Sequence, residues 1–544
     1  MTWPNRGMVH RPAVMGTHGM VSSAHYLASV AGLKMLQQGG HAVDAAVAIA
    51  AALNVAEPYM SGMAGCGYMM VWDVSEKKMR ALDYIGPAPA AAAPEIFADE
   101  ADMGHGPKSG LVPSNLAGWL TAHAEYGRLD LATVFGPAIE YAAGGIPISV
   151  KNNYFYRAAL NGGHLTEETR AVFMKGGVPP TSGTIIKQPL LAMTFQDVVD
   201  GGLESFYRGA LAKRIVSALT ERGGILTAED LADYRPSWTE PISTVYRGYT
   251  IQCPPPPCSG FQYLQTFNLL EPYDLATSGH NTARTLHIMM EAMKLSVADR
   301  IAFTALPEIP TAALISREYA DGRRALIDPN KAALSQGERF TGPAPVGSIL
   351  PGEPNRSLKE CTTHFDVIDG DGNGVSVTQS LGDGFGSGVM IGDTGMMLNN
   401  FNYWFDYHAD SPNVIAPRKK IEMCMAPTAI TRGDELFMVI GTPGSFGILE
   451  TTPTMISNII DHGFSIQAAI EAPRFRTYEG TTVEIEARVP KSVRDELIML
   501  GHTPRVIDDF SYLVGGGHGV MVDPESGALI GGADPRRDGY ALGW

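Results

Sequence analysis

Residues 360–367 read ECTTHFDV and, past Ile368, run into DGDGNGVSVTQSLGDGFGSG at 369–388. THFDVID and GVSVTQSL are short runs of alternating β-branched residues around a Gly- and Asp-rich turn, which predicts a hairpin. Upstream, from 330 to 360, Gly, Pro, Ser and charged residues follow no period, so an exposed loop is expected to deliver the chain to Cys361 and Thr362. A break between those two residues would leave a free α-amine beside a hydroxyl, so that nucleophile and general base share one residue. The chain has no GxSxG, HExxH or P-loop pattern to offer in its place.

Outward from that hairpin, AHYLASVAGLKMLQQGGHAVDAAVAIAAALNVAE (24 to 57) carries apolar residues at helical spacing with a break at Gly39-Gly40. Two packed helices are predicted, the second rich enough in Ala for close approach. GYMMVWDV and MRALDYI read as strands joined by a charged turn. Segments 115–143, 188–222 and 285–303 read as helical, and Thr227 with Asp230 marks a helix start. In the C-terminal third, GVMIG and the two halves of PTAITRGDELFMVIGTPG read as strands, 451–472 and 490–501 as helices, and VMVDPESGALIGGAD as a closing hairpin. No internal repeat is visible. Length alone, 544 residues, fits three or four domains or one large sandwich, and the mixed order of helices and strands favours an α/β sandwich.

The bulk numbers narrow the function classes. Hydrophobic residues make up 45% and charged residues 18%, as expected of a chain with a core to bury, and the 61 Gly and 37 Pro imply tight turns. A net charge of −16 argues against nucleic acid or an anionic membrane surface and favours a small-molecule partner. The N-terminal residues lack a signal-peptide pattern and no apolar run is long enough to span a bilayer, so a cytoplasmic location is the expectation. Five scattered cysteines without CxxC pairs point to neither a disulfide framework nor a zinc site, and fourteen histidines show no ligand spacing, so no metal or cofactor is expected.

CTTHFDVIDGDGNGVSVTQSLGDGFGSGVMIGDTGMMLNN resembles the start of the small subunit of the gamma-glutamyltranspeptidases, whose pattern is TTH, a strand, DGNAVS, a hydroxyl-bearing segment, FGSG and LNN. The resemblance continues, in family order, through SAHYLASVAGLKMLQQGGHAVDAAVA, EPYMSGMAGCGYMMV, GGILTAEDLADY, PPPPCSG, EAMKLSVADR, MAPT, GTPGS, EAPRF and ADPR. It implies a four-layer αββα sandwich of the N-terminal nucleophile hydrolase type. It further implies a proenzyme that splits between Cys361 and Thr362 into residues 1–361 and 362–544, together forming one intertwined domain, with a dimer of such pairs as one assembly. Cys361 is the competing new N-terminus, and the TTH register favours Thr362. By the same resemblance Thr362 is the nucleophile, Ser380 stands where the family has a second Thr that hydrogen-bonds it, and Gly444 and Ser445 provide the oxyanion hole through backbone N–H groups. The family has two glycines where Gly444 and Ser445 stand.

The resemblance fails at the glutamate clamp. An Arg that holds the α-carboxylate is replaced by Ile85, the amide and acid that hold the ammonium by Phe401 and Trp404, a further Asn by Gly382, and a Ser pair by Met423 and Cys424. A single loss has neighbours such as Asp383 or Asp406 to compensate it, but five together do not. Desolvating a zwitterion without partners costs several kcal/mol. The expected pocket therefore takes an uncharged, aromatic-tolerant acyl group of a small-molecule amide, with water or an amine as acceptor. The competing reading of Phe401, Tyr403 and Trp404 is that they are core aromatics and the pocket lies elsewhere; the alternative within this chemistry is gamma-glutamyl transfer with a rebuilt clamp. A shorter stretch between SPNVIAP and CMAPT suggests an open site without a lid loop, which favours hydrolysis over transfer. From another class, an unprocessed, inactive binding protein fits the same sequence. DGDGNG reads as a turn rather than a calcium loop, since the twelfth-position Glu is absent. His364 reads equally as a positioning or a packing residue.

Overall fold

The computed structural model describes residues 9–162, 164–174, 176–304, 306, 308–333, 361–477 and 480–544. The loop expected between 330 and 360 falls, from 334 onward, outside the described residues. Fourteen strands build two seven-stranded antiparallel sheets. In chain order they are β1 (Val14–Gly16), β2 (Gly19–Ser23), β3 (Cys66–Asp73), β4 (Lys78–Tyr84), β5 (Ser237–Thr239), β6 (Ile242–Tyr246), β7 (Tyr249–Cys253), β8 (Cys361–Asp369), β9 (Gly374–Gly382), β10 (Thr428–Arg432), β11 (Glu435–Gly441), β12 (His518–Val522), β13 (Leu529–Ala533) and β14 (Tyr540–Gly543). One sheet has the order β14-β2-β8-β9-β3-β4-β5, the other β1-β13-β12-β11-β10-β7-β6. Each sheet draws strands from both sides of the Cys361–Thr362 bond.

Three apolar layers hold the sandwich together. Between the sheets, Met20, Met70, Trp72, Ile368, Val439 and Val520 interdigitate. On the outer face of the first sheet, Phe365, Val367, Val375 and Val377 pack against the helices Tyr26–Gln37 and Ala42–Ala56. Every residue of Ala42–Ala56 is buried, and its run of alanines lets neighbouring backbones approach; at Gly32 an added Cβ would lie 2.6 Å from Ile49. On the far side, Ile430, Met438 and Ile440 pack against the helices Phe261–Leu270, Ala283–Phe303 and Ile448–Ile460. The order is helix, sheet, sheet, helix, the α/β four-layer arrangement expected above. The predicted helix pair, the hairpin at 361–382, the start at Thr227 and the closing hairpin are all present.

Two local expectations are corrected. GVMIG is not a strand: Met390 makes one isolated bridge to Met397 and the chain turns at Gly392–Thr394. Glycines with φ of 57°, 77° and 52° at 386, 388 and 392 bend the segment too often for a ladder. The helical stretch 451–472 is two helices, Ile448–Ile460 and Ile466–Glu471, parted by a turn with Gly463 at φ 66°. No helix among the described residues is long and apolar enough to cross a membrane.

The closing hairpin is pinned by buried charge. Asp534 accepts from Arg474 and from the backbone of Gly517 at 2.8 Å, while Arg536 lies 3.0 Å from Asp534 and 2.6 Å from Glu486. All four side chains are buried. Burial alone pushes the Asp534 carboxyl upward, but the Arg474 and Arg536 guanidiniums and two backbone N–H donors outweigh it and hold the group well below the usual carboxylate range. A depressed carboxyl lends stability above its unfolded pKa and loses it as pH falls. Asp534→Asn is expected to destabilise the protein at neutral pH by about 3–5 kcal/mol, because two guanidiniums lose a buried partner. In thermal melts its deficit against wild type should shrink as pH is lowered through the acid range.

Candidate active site

The register of β8 on β9 decides where the reactive groups stand. Thr362 pairs with Ser380, His364 with Thr378 and Asp366 with Ser376. Because strand side chains alternate, these residues share one face, and contact of a Cβ at Gly441 with the His364 ring shows that this face looks into the space between the sheets. The alternate residues, Thr363, Phe365 and Val367, look toward the helices. A bulge interrupts the ladder between Cys361 and Thr362, where Cys361 lies opposite Gly382 and Leu381 turns away to bond Met60 and Asn400. Bulges re-aim side chains and end pairing, and this one sits at the bond that the sequence marks for scission.

The Ser380 hydroxyl donates a hydrogen bond to the Cys361 carbonyl, and the Gly382 N–H donates to Ser380 Oγ at 2.9 Å. The carbonyl of the Cys361–Thr362 peptide is thus polarised by a hydroxyl whose own orientation is fixed. Thr362 is 6% exposed and Ser380 1%. On the other face the Thr363 hydroxyl donates to Glu57 at 3.1 Å, at the C-terminal cap of the helix Ala42–Ala56, so the start of β8 is held from both sides. Burial pushes the Glu57 carboxyl up to about 7, only partly opposed by Arg537 and the Thr363 hydroxyl.

Thr362 and Ser380 open on a cavity of ≈ 260 Å³, mouth included, lined also by Cys361, Gly382, Phe401, Tyr403, Trp404, Met423, Cys424, Met425 and Ser445. Eight of the residues singled out from sequence, Thr362, Ser380, Gly382, Phe401, Trp404, Met423, Cys424 and Ser445, together with Cys361, therefore meet in one place. Gly444 stands beside Ser445, with φ 135° at Gly444 and φ 51° at Ser445. A left-handed serine costs of order 1 kcal/mol, and such backbone strain gathers at functional turns. Ile85 is not among the lining residues: it is fully buried in the apolar cluster beneath, its N–H donating to Asp83 at 2.8 Å. Gly382 admits no side chain, because a Cβ there would lie 2.0 Å from Asn400 Oδ1, and its φ is 101°.

Phe401, Tyr403 and Trp404 form one wall, with ring centroids 6.0 Å (Phe401–Trp404) and 6.1 Å (Tyr403–Trp404) apart, edge to face. Sequence reading left Tyr403 among the core aromatics and missed Met425 and Glu57; the signal for Tyr403 and Met425 was their place beside assigned residues. Among the described residues, no charged side chain lines the cavity. Of the two acids named as rescuers, Asp383 reaches Tyr403 Oη at 3.4 Å, just outside the wall, while Asp406 accepts from Ser411 and is not among the lining residues. His364 is fully buried, Nδ1 2.8 Å from Thr378 Oγ1 and Nε2 2.8 Å from Asp366 Oδ2.

One group among the described residues brings three ligand atoms within 4.8 Å, His287, Glu291 and His502. Those atoms are engaged with one another and with Lys294, 2.7 Å from Glu291, and His287 lies 2.8 Å from His502. None of the three lines the cavity.

The chain resembles known proteins along nearly its whole length. The family model described as gamma-glutamyltranspeptidase matches residues 28–544. The glutathione hydrolase-like YwrD proenzyme of Bacillus subtilis (strain 168) is 34% identical, over 98% of this chain and 99% of its own length. The acylase ACY 1 proenzyme of Pseudomonas sp. (strain SE83) is 36% identical over 96% of this chain and 93% of its own. Among solved structures, the cephalosporin acylase from Bacillus halodurans superposes with a TM-score of 0.88 at 32% identity, covering 100% of this chain and 98% of that one.

Two outcomes follow from the site. On denaturing gels, wild type should resolve into pieces of 361 and 183 residues; Thr362→Ala should stay whole, and Ser380→Ala should cleave about a hundredfold more slowly, the loss typical of one donor to a developing oxyanion. An acid whose folded pKa is raised lends stability below its unfolded pKa and loses it as pH rises through the folded value. Glu57→Gln should therefore gain in melting temperature relative to wild type as pH rises from about 4.5 to 8, the window between an ordinary Glu and the raised group.

Proposed function

This chain belongs to the gamma-glutamyltranspeptidase family, and we propose that within it the protein hydrolyses an N-acyl amide whose acyl part is uncharged, an aromatic ring being the best fit. That it is a hydrolase of the N-terminal nucleophile type, made as a proenzyme, follows from its relatives. The observation that carries the finer reading is the cavity lining: aromatic, thioether, thiol and hydroxyl groups, with no Arg, Lys, Asp or Glu among the described residues. A gamma-glutamyl group brings a carboxylate and an ammonium, and a site without partners for them loses several kcal/mol per charge. The names of the acylase relatives fit an N-acyl substrate.

The chemistry runs in two stages. In the first, Thr362 Oγ attacks the Cys361 carbonyl carbon while Ser380 donates to its oxygen. The C–N bond breaks, the hydroxyl proton passes to the departing amine, and the ester left between Cys361 and Thr362 Oγ is hydrolysed by water to a Cys361 carboxylate. In the second, the freed Thr362 amine takes the hydroxyl proton, and Oγ attacks the substrate's amide carbon. The backbone N–H groups of Gly444 and Ser445 are assigned to the oxyanion; each such donor is worth about 3–4 kcal/mol at the transition state. The leaving amine takes the proton, and water then releases the free acid and restores Thr362.

On purified, cleaved protein, phenylacetyl-p-nitroanilide should exceed gamma-glutamyl-p-nitroanilide in kcat/KM by about a hundredfold or more, the scale of discrimination when buried charges go unpartnered. Faster turnover of the glutamyl compound would overturn the reading.

A further inference from the structure

The wall of the cavity that carries Trp404 is backed by a residue that does not touch the cavity. Phe446 follows Ser445 in the short turn Ser445–Gly447 and lies against Trp404, ring centroids 5.1 Å apart at 36°. The Arg300 guanidinium also sits over the Phe446 ring, 3.9 Å from its centre. Arg300 is itself fixed: Nε donates to Gln262 at 2.8 Å, Nη1 lies 3.2 Å from Glu422, and the residue is 8% exposed. Glu422 in turn accepts from Ser259 and immediately precedes Met423 of the cavity wall. A cation and a second ring thus both contact the Phe446 ring, and that second ring, Trp404, lines the cavity.

We propose that Phe446, in contact with both Arg300 and Trp404, is a specificity-determining positioning residue that holds the Trp404 ring as a flat wall for a planar acyl group. The physical basis is a pair of independent attractions. The guanidinium is drawn to the negative face of Phe446, and the Phe446–Trp404 pair adds packing and quadrupole terms beyond buried area. A tryptophan side chain left without backing has staggered alternatives at χ1, and ordering it would then fall to the substrate. Because Phe446 adjoins the turn assigned to the oxyanion, the same residue ties the acyl wall to the place where the carbonyl oxygen sits. The inference rests on the aryl-acyl reading above and adds the device that enforces it.

The test uses full-length, self-processed enzyme with two substrates, phenylacetyl-p-nitroanilide and the straight-chain hexanoyl-p-nitroanilide. Phe446→Ala and Phe446→Leu should still cleave into two pieces, and should lose about tenfold in kcat/KM for the phenylacetyl compound, through KM rather than kcat, while hexanoyl turnover changes less than about threefold. Phe446→Tyr, which keeps the ring, should restore the wild-type ratio. Arg300→Lys, which keeps charge but not the planar face, should fall between. Equal losses on both substrates, or no loss on either, would overturn the proposal by showing that the residue only supports the turn. Should wild type itself show no phenylacetyl preference over gamma-glutamyl, the underlying functional reading fails instead, and the ratio of phenylacetyl to hexanoyl turnover in the variants still decides the role of Phe446.

Discussion

The pairing of Thr362 with Ser380 across β8 and β9 is the constraint on which the rest depends. Strand alternation has a period of two, so a slip of one residue would turn Thr362 out toward the helices and bring Thr363 inward. The register is held on the helix side by Phe365 and Val367 in the core and by the Thr363 hydrogen bond to Glu57. Between the sheets, His364 is locked by Thr378 and Asp366. Polar groups on that face are costly unless satisfied, and their mutual hydrogen bonds make the register discrete. The buried hairpin is a frame for one hydroxyl.

With that frame in place, the site is built from segments distant in the chain. Ser380 comes from the partner strand, Ser445 from the turn after β11, and the aromatic wall from the short 3₁₀ turn Phe401–Trp404. The turns avoid regular structure for stated reasons. Gly382 has no room for a Cβ, and Ser445 holds a left-handed backbone. Such positions concentrate where chemistry needs backbone groups aimed at a point rather than paired in a ladder.

The cavity is lined, among the described residues, by apolar, aromatic and small side chains and no charged one. A clamp for a zwitterion needs charged side chains held within a few ångströms of one another, and their desolvation must be offset by the ligand at every turnover. Here the same space holds Phe401, Tyr403, Trp404, Met423 and Met425. The charges nearby are turned to structural work: Arg300 pairs with Glu422 behind Phe446, and Lys420 pairs with Asp83 at 2.7 Å.

The sequence carried the helix pair at 26–56, the hairpin at 361–382 and the family pattern around Thr362, because periodicity, turn residues and contiguous motifs are local signals. It also picked out most residues of the cavity, since they lie beside recognisable motifs. It misread GVMIG as a strand, for β-branched residues alone do not show that three glycines bend the chain. It took packing in three dimensions to put Ile85 in the core, to bring Tyr403 and Met425 into the wall, to carry Glu57 to Thr363, and to set Phe446 against both Arg300 and Trp404. Those are contacts between residues far apart in the chain, and they exist only once two sheets and their helices have packed. Periodicity tells a residue which face to take; packing alone tells it which neighbour it meets there.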